Sequence, residues 1–161
     1  MADRYDFRHV TRDDLVLLNR WVREPHVAEW WDDETYDTDD LADSRVEMWI
    51  VSHGGQPFAF MQDYTPHGWS DHPFAHLPDG ARGIDQFIGP PAVLGRGHGA
   101  GFIAQRVQTL FEAGAPVIAT DPHPDNARAI AVYGKAGFMP SGGDQATPWG
   151  RIRPMLAYPQ K

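Results

Sequence analysis

Four glycines crowd the stretch Leu94-Gly-Arg-Gly-His-Gly-Ala-Gly-Phe102, where an apolar run gives way to helical spacing. Glycine lets the main chain approach a ligand closely and adopt positive φ, and a following helix offers unpaired N–H groups and the positive end of its dipole. The chemistry this suits is anion binding, and a pyrophosphate fits; the competing reading is a plain turn. A second stretch carries the opposite character. Glu29, Asp32, Asp33, Glu34, Asp37, Asp39, Asp40 and Asp43 follow one another without a single Lys or Arg. They read either as a site for cations or as a solvated loop with helix N-caps. The eight histidines show no metal-ligand spacing, and His67, His72 and His76 fall in a polar loop, so no metal is expected. The chain has no cysteine, which excludes disulfides, thiolate zinc sites, a cysteine nucleophile and a thioester held on the protein itself.

The elements that must position these residues can be read in order. Phe7–Val10 suits a strand, and Thr11-Arg-Asp-Asp14 opens a helix carrying Leu15, Leu18 and Val22 on one face. Pro25 ends or bends it, a short helix follows over His26–Trp31, and a third runs from Thr38 through Leu41 towards Val46. Trp49–Val51 and Pro57–Met61 flank His53-Gly-Gly-Gln56 as a β-hairpin. Residues 66–82 form a loop rich in Pro, His, Gly and Asp, and Gly83–Ile88 resumes as a strand leading into the glycine loop. Ile103, Val107, Leu110 and Phe111 then recur at helical spacing up to Gly114, and Val117–Thr120 is a buried strand. Asp125 caps a helix bearing Ala129, Ile130 and Tyr133, and Ile152–Tyr158 supplies the last strand. A βαβ second half after an antiparallel first half predicts an α/β (α+β) fold around a mixed sheet.

Length and charge narrow the function. The 161 residues suit a single domain over 1–161. A formal charge of -8 disfavours nucleic acid and favours cationic small molecules or basic partners. No apolar run reaches membrane-spanning length, and the Met-Ala-Asp-Arg start lacks the basic and apolar regions of a signal peptide, so a cytoplasmic protein away from membranes is expected.

Three separated segments carry a family resemblance. Arg96-Gly-His-Gly-Ala-Gly101 is similar to the acetyl-coenzyme A loop, Gln/Arg-x-x-Gly-x-Gly/Ala, of the GCN5-related N-acetyltransferases, the GNAT superfamily. Asn126-Ala-Arg-Ala-Ile-Ala-Val-Tyr-Gly-Lys-Ala-Gly-Phe138 resembles that family's Asn-x-x-Ala-x-x-x-Tyr-x-x-x-Gly-Phe segment. Gly83-Ile-Asp-Gln86, Thr120-Asp-Pro-His-Pro-Asp-Asn126, Glu29-Trp-Trp31 and Gln62-Asp-Tyr64 resemble the aminoglycoside 6'-N-acetyltransferases within it. There are departures. The group's tryptophan-rich acidic loop is represented by Gly68-Trp-Ser-Asp-His-Pro-Phe74, and an acidic position near the C-terminus is taken by Trp149 or Gly150, which removes one amine contact.

The resemblance implies a GNAT fold, a mostly antiparallel central sheet flanked by helices with the acetyl-CoA loop between a central strand and the next helix. It implies acetyl transfer from acetyl-CoA to the 6'-amine of aminoglycosides, by direct attack in a ternary complex, and hence antibiotic resistance. Main-chain groups of Gln86, Phe87 and Ile88 would pair with the pantetheine. Backbone N–H groups across Gly97, His98, Gly99, Ala100, Gly101 and Phe102 would hold the pyrophosphate, with charge from Arg96 and a contact from Asn126. Asp85 is placed at the amine end as binding group or base, against the alternative of a structural pair with Arg82. Tyr133 is the acid for the leaving thiolate, against the alternative of core packing beside Ile130. Trp30, Trp31 and Trp69 would cover aminocyclitol rings while Asp71, Asp121 and the acids after Trp31 meet ammonium groups, with Gln62 and Tyr64 lining the pocket. Each tryptophan also reads as core, and Asp121 as a cap for the turn at Pro122. A monomer or homodimer is expected. The same fold also accommodates another amine acceptor, such as a protein N-terminus, a siderophore-type lysine derivative or a polyamine, or a binding module without catalysis.

Overall fold

The computed structural model describes residues 4–31 and 35–160, so Asp32, Asp33 and Glu34 lie outside the described residues. Strand β1 (Asp6–His9) passes through a 3-10 turn at 12–14 into α1 (Leu15–Val22). Thr11 and Asp14 form the expected capping box, the Thr11 N–H donating to Asp14 Oδ2 at 2.7 Å. Leu18, Trp21 and Val22 turn inward. Pro25 opens α2 (Pro25–Trp31), its fixed φ suiting a first turn. Helix α3 (Thr38–Leu41) is only one turn long and does not run towards Val46. Asp43 Oδ1 accepts from the Arg45 N–H at 3.0 Å, an Asx turn that diverts the chain out of helix.

The hairpin is longer than its apolar centre: β2 (Val46–His53) and β3 (Gln56–Tyr64) join through Gly54 and Gly55 at φ 57° and 80°. Two successive positive values are what a primed two-residue turn demands. The remaining elements are β4 (Arg82–Ile88), α4 (His98–Glu112), β5 (Ile118–Thr120), α5 (Ala127–Lys135), β6 (Met139–Pro140), β7 (Gln145–Thr147), β8 (Gly150–Ile152) and β9 (Met155–Ala157). Two local expectations are corrected. Asn126, not Asp125, caps α5, its Oδ1 accepting from the Ala129 N–H at 3.1 Å. The last strand is split into β8 and β9, because the Arg153 N–H turns to the Pro122 carbonyl at 2.8 Å and Pro154 has no N–H for a ladder.

Seven strands form a mixed sheet in the order β1-β2-β3-β4-β5-β9-β6, antiparallel except where β4 meets β5. Side chains alternate across it. One face carries Met48, Ile50, Phe60 and Phe87 against Leu18, Trp21, Val22 and Val27 of α1 and α2. The other carries Ala59, Met61 and Ile84 against Phe102, Ile103 and Val107 of α4 and Tyr133 of α5. Each fully buried Leu, Ile or Phe of these clusters contributes about 1.5–3 kcal/mol.

The central irregularity is between β4 and β5. Only Arg82 with Ile118 and Gly83 with Ala119 pair as strand partners, and beyond them the two strands diverge. The gap lies where the sheet changes from antiparallel to parallel pairing, the position at which α/β sheets hold ligands.

Candidate active site

Antiparallel pairing decides which main-chain groups face the gap. The Gly89 N–H bonds to the Phe58 carbonyl at 2.8 Å, so by alternation along the β3 partners the main-chain groups of Phe87, Asp85 and Gly83 turn to β3. Those of Ile84, Gln86 and Ile88 turn to the gap. The Ile84 carbonyl is taken by the Thr120 hydroxyl at 3.1 Å and the Ile88 carbonyl by the His26 ring at 2.8 Å. Both main-chain groups of Gln86 and the N–H of Ile88 remain directed there. The Phe87 amide serves the ladder, and its ring packs against Trp31 at 5.0 Å between centroids while bordering the cavity described next.

A cavity of about 400 Å³ opens alongside, bounded by Trp30 of α2, Gln86 and Ile88 of β4, Gly99 at the start of α4, and Asn126 and Val132 of α5. At its end, α4 begins with Gly97 at φ 84°, a conformation that favours glycine. The Gly101 N–H already donates to the Gly97 carbonyl at 3.3 Å, so the unpaired amides of this helix end are those of Gly97, His98, Gly99 and Ala100. Gly101 and Phe102 therefore do not serve as expected. Neither Gly99 nor Gly101 has positive φ. A Cβ on Gly101 would sit 2.8 Å from the Tyr5 hydroxyl, and Phe102 is wholly buried, so both serve packing. The His98 ring also points inward, its Nδ1 2.9 Å from the Tyr5 hydroxyl. Arg96 is exposed on the loop. Gap, cavity and helix end form one continuous line, a fit for an extended anionic thioester in which main-chain atoms do the holding.

On the α1–α2 face of β4, the Gln62 amide donates to Asp85 Oδ2 at 2.9 Å. Arg82 does not pair with Asp85; it reaches Asp63 at 2.5 Å on the opposite face, because Arg82 and Asp85 are three residues apart on an alternating strand. Asp85 is instead beside Asp121. Burial pushes the Asp121 carboxyl well above the usual carboxylate range, and the charge of Asp85 adds to it. Burial raises Asp85 as well, opposed by the Gln62 hydrogen bond and by Asp121. Two carboxyls held this way share a proton readily. Tyr64 lies directly over the Cα of Gly83, leaving no room for a Cβ. Burial raises its phenol, and the charges of Asp121 and Asp85 raise it further.

Tyr133 stands on the α4–α5 face, where the Gln86 amide approaches its hydroxyl at 3.4 Å. Burial raises its pKa, opposed by a hydrogen bond with Thr120. It is thus both a core aromatic, stacked edge-on to Phe138 at 5.5 Å, and a protonated hydroxyl at the gap.

The tryptophans divide. Trp30 is half-buried at the cavity beside His123, ring centroids 5.5 Å apart. Trp31 is engaged by Phe87, Phe60 and Tyr36 at the edge of the core, and it borders the same cavity. Trp69 has one face covered by the Arg45 guanidinium at 4.1 Å and its ring near Tyr64 and His72, so that face is closed to a sugar. Trp149, at the tip of the β7–β8 hairpin, approaches His72 at 5.2 Å and is 54% exposed. Asp71 is exposed in the loop. Of the acidic run, Asp37 and Asp40 cap α3 and Asp43 pairs with Arg45 at 2.9 Å, which is the solvated-loop reading; Glu29 borders the cavity. Among the described residues no group of three or more His, Cys, Asp or Glu is placed to hold a metal, and no helix is long and apolar enough to cross a membrane.

Sequence reasoning missed His26, Thr120 and the Asp63 cluster. Only Asp63 left a trace, as an acid in step with the apolar positions Ala59 and Met61.

Residues 10–143 match the acetyltransferase (GNAT) domain family. The chain is 34% identical over 153 residues to an aminoglycoside N(6')-acetyltransferase type 1 of Klebsiella pneumoniae, covering 87% of this chain and 76% of the relative. Among solved structures it is similar to AAC(6')-Ib in complex with paromomycin and acetyl-CoA, with a TM-score of 0.87 and 31% identity over 97% of this chain and 94% of that one. The same enzyme with coenzyme A and kanamycin gives a TM-score of 0.87 at 32% identity, covering 96% and 95%.

Proposed function

The chain belongs to the GNAT acetyltransferase family, and from that premise we propose that it transfers the acetyl group of acetyl-CoA to the 6'-amine of aminoglycosides by direct attack in a ternary complex. The observation that carries the acceptor side is the recessed pair of carboxyls, Asp85 and Asp121, at the gap between β4 and β5. Such a pair both attracts an ammonium and accepts its proton. The relatives named for aminoglycoside acetylation and solved with aminoglycosides bound support the same acceptor.

Acetyl-CoA, when bound, supplies the activated thioester. The Gly97–Ala100 amides hold its anionic end with the helix dipole behind them, while Gln86 and Ile88 present main-chain groups to its pantetheine chain. Asn126 and Trp30 border the same channel. Asp85, steadied by Gln62 and beside the protonated Asp121, takes the proton of the acceptor ammonium and passes it to solvent. The free amine nitrogen forms its bond to the carbonyl carbon as the C–S bond breaks, the second N–H proton goes to Asp85 as the amide forms, and Tyr133 is reprotonated from solvent after serving the sulfur. Tyr133 holds a proton at Oη for the departing sulfur, and the raised pKa keeps that proton in place until it is needed. Tyr64 lines the acceptor recess.

In this reading residues 1–161 are one GNAT domain acting in the cytoplasm, as monomer or homodimer, and its activity confers aminoglycoside resistance. The deciding experiment is an acceptor screen with acetyl-CoA using antibiotics with and without a 6'-amine. Coenzyme A release with the 6'-amino compounds and little with 6'-hydroxyl analogues is expected. Turnover of a peptide amine or polyamine with no turnover of any aminoglycoside overturns the acceptor assignment.

A further inference from the structure

We infer that Asp63, which does not touch the proposed reaction centre, is a positioning residue that fixes the acceptor carboxylate and the opening of the β4–β5 gap together. Its side chain is 1% exposed, yet it is ionically paired on both sides. Oδ1 meets Arg82 at 2.5 Å; Oδ2 accepts from Arg106 Nε at 3.0 Å and from the Trp49 indole at 2.8 Å. The Arg106 guanidinium also lies over the Trp49 ring at 4.3 Å. One carboxylate therefore ties β2, β3, β4 and α4.

The placement of these partners gives the cluster its role. Asp63 stands between Gln62 and Tyr64 on β3, and those two side chains point to the opposite face, into the acceptor recess. Arg82 occupies the first residue of β4, where its N–H still bonds to the Val117 carbonyl at 3.2 Å. The last pair of β4 with β5 is one residue later, at Gly83. Clamping Arg82 to Asp63 thus sets both the register of Asp85 against Gln62 and the point at which the strands part. Arg106 extends the tie to α4, the helix whose N-terminus faces the proposed pyrophosphate site. A buried carboxylate with two guanidiniums leaves uncompensated cations if it is neutralised, and those strands shift to relieve them.

The inference rests on the acetyl-transfer reading for its kinetic readout and on hydrogen exchange for a readout independent of activity. Asp63→Asn keeps the shape and removes the charge. Expected are acetyl-CoA affinity lower by about threefold or more by calorimetry, because Asp63 holds the gap that the cofactor enters, and kcat for a 6'-amino aminoglycoside lower by about tenfold or more. Exchange at the Gly83 and Asp85 amides should quicken by about tenfold while that of α1 is unchanged. In a Gln62→Ala background the kcat effect of Asp63→Asn should shrink to less than about threefold, because it acts through the Gln62–Asp85 bond. Equal losses in both backgrounds, or unchanged exchange at Gly83 and Asp85, overturn the proposal. If Asp63→Asn does not fold, Arg106→Lys, which breaks the two-nitrogen contact and keeps the charge, is read by the same measurements. A wild type that acetylates no aminoglycoside refutes the acceptor assignment, and the exchange result alone then decides for or against Asp63.

Discussion

Gln62 donates its amide to Asp85 Oδ2 at 2.9 Å, across a register in which the two residues are direct partners on β3 and β4. The bond orients a carboxyl whose remaining neighbour, Asp121, is another carboxyl, so the arrangement is built to change protonation state. Asp85→Asn keeps the shape and deletes that ability. Acetyl-CoA binding should persist, because in the proposed reading main-chain amides hold the cofactor, while acetylation of 6'-amino antibiotics falls by roughly two orders of magnitude or more. Steady-state kinetics beside calorimetry of cofactor binding checks this, and a fully active variant would falsify the role of Asp85.

Asp121 makes a prediction about pH. Its folded pKa is raised by burial and by Asp85, so the folded state holds a proton that the unfolded chain gives up near the ordinary Asp value. Stability from this group is full below that value and declines as pH rises through the folded pKa. Asp121→Asn, which cannot ionise, should therefore raise the melting temperature at neutral pH and leave it nearly unchanged near pH 3.5. The acid limb of kcat/KM should lie above the usual carboxylate range in the wild type and move in the variant. A limb that stays in place in Asp121→Asn rules out the shared proton.

Tyr133→Phe removes one hydroxyl and leaves the ring against Phe138. If that hydroxyl protonates the departing sulfur, kcat drops by about one to three orders of magnitude with little change in stability. Because burial raises the wild-type pKa, no alkaline loss of activity from Tyr133 should occur in the ordinary tyrosine range. Single-turnover rates with the Phe variant give the answer, and unimpaired chemistry assigns Tyr133 to packing.

The glycines of the loop should separate by function. Gly97, at φ 84° with open space around its missing Cβ, responds to Val by strain in the helix start, and acetyl-CoA affinity falls while the fold survives. Gly101 faces the Tyr5 hydroxyl, so Gly101→Ala should cost about 1–3 kcal/mol of stability by overpacking. Tyr5→Phe should return part of it. Denaturation curves and cofactor titrations on the same variants distinguish the two effects, and a Gly101→Ala protein of normal stability with lost affinity would reverse the assignment.

Local chemistry that repeats along the chain is legible in the sequence itself. The hairpin turn at Gly54-Gly55, the capping box at Thr11 and Asp14, and α4 follow from periodicity and turn residues. The strand Gly83–Ile88 is also legible from its own pattern, whereas a joint role for Asp85 and Tyr133 is accessible only through the family resemblance. What stayed hidden depends on contacts between distant segments. Asp125 and Asn126 both suit a cap, and only the Ala129 N–H selects Asn126. Pro154 breaks a strand whose apolar pattern runs straight through it. Arg82 looks like a partner for Asp85 in the sequence, and the alternation of the strand sends it to Asp63. Trp69 reads as a platform until Arg45 is found on its face.

Asp85 and Gln86 are adjacent in β4 yet project to opposite faces of the sheet, one towards Gln62 and the other towards Tyr133. In the proposed reaction the proton that leaves the acceptor and the proton that reaches the sulfur consequently travel on opposite faces of the sheet, which communicate only where β4 and β5 part. In that reading, evolutionary drift among the residues around Tyr64 and Gln62 can change the acceptor side without disturbing thiol release. The enzyme's repertoire of acceptors is free to diversify on an unchanged engine.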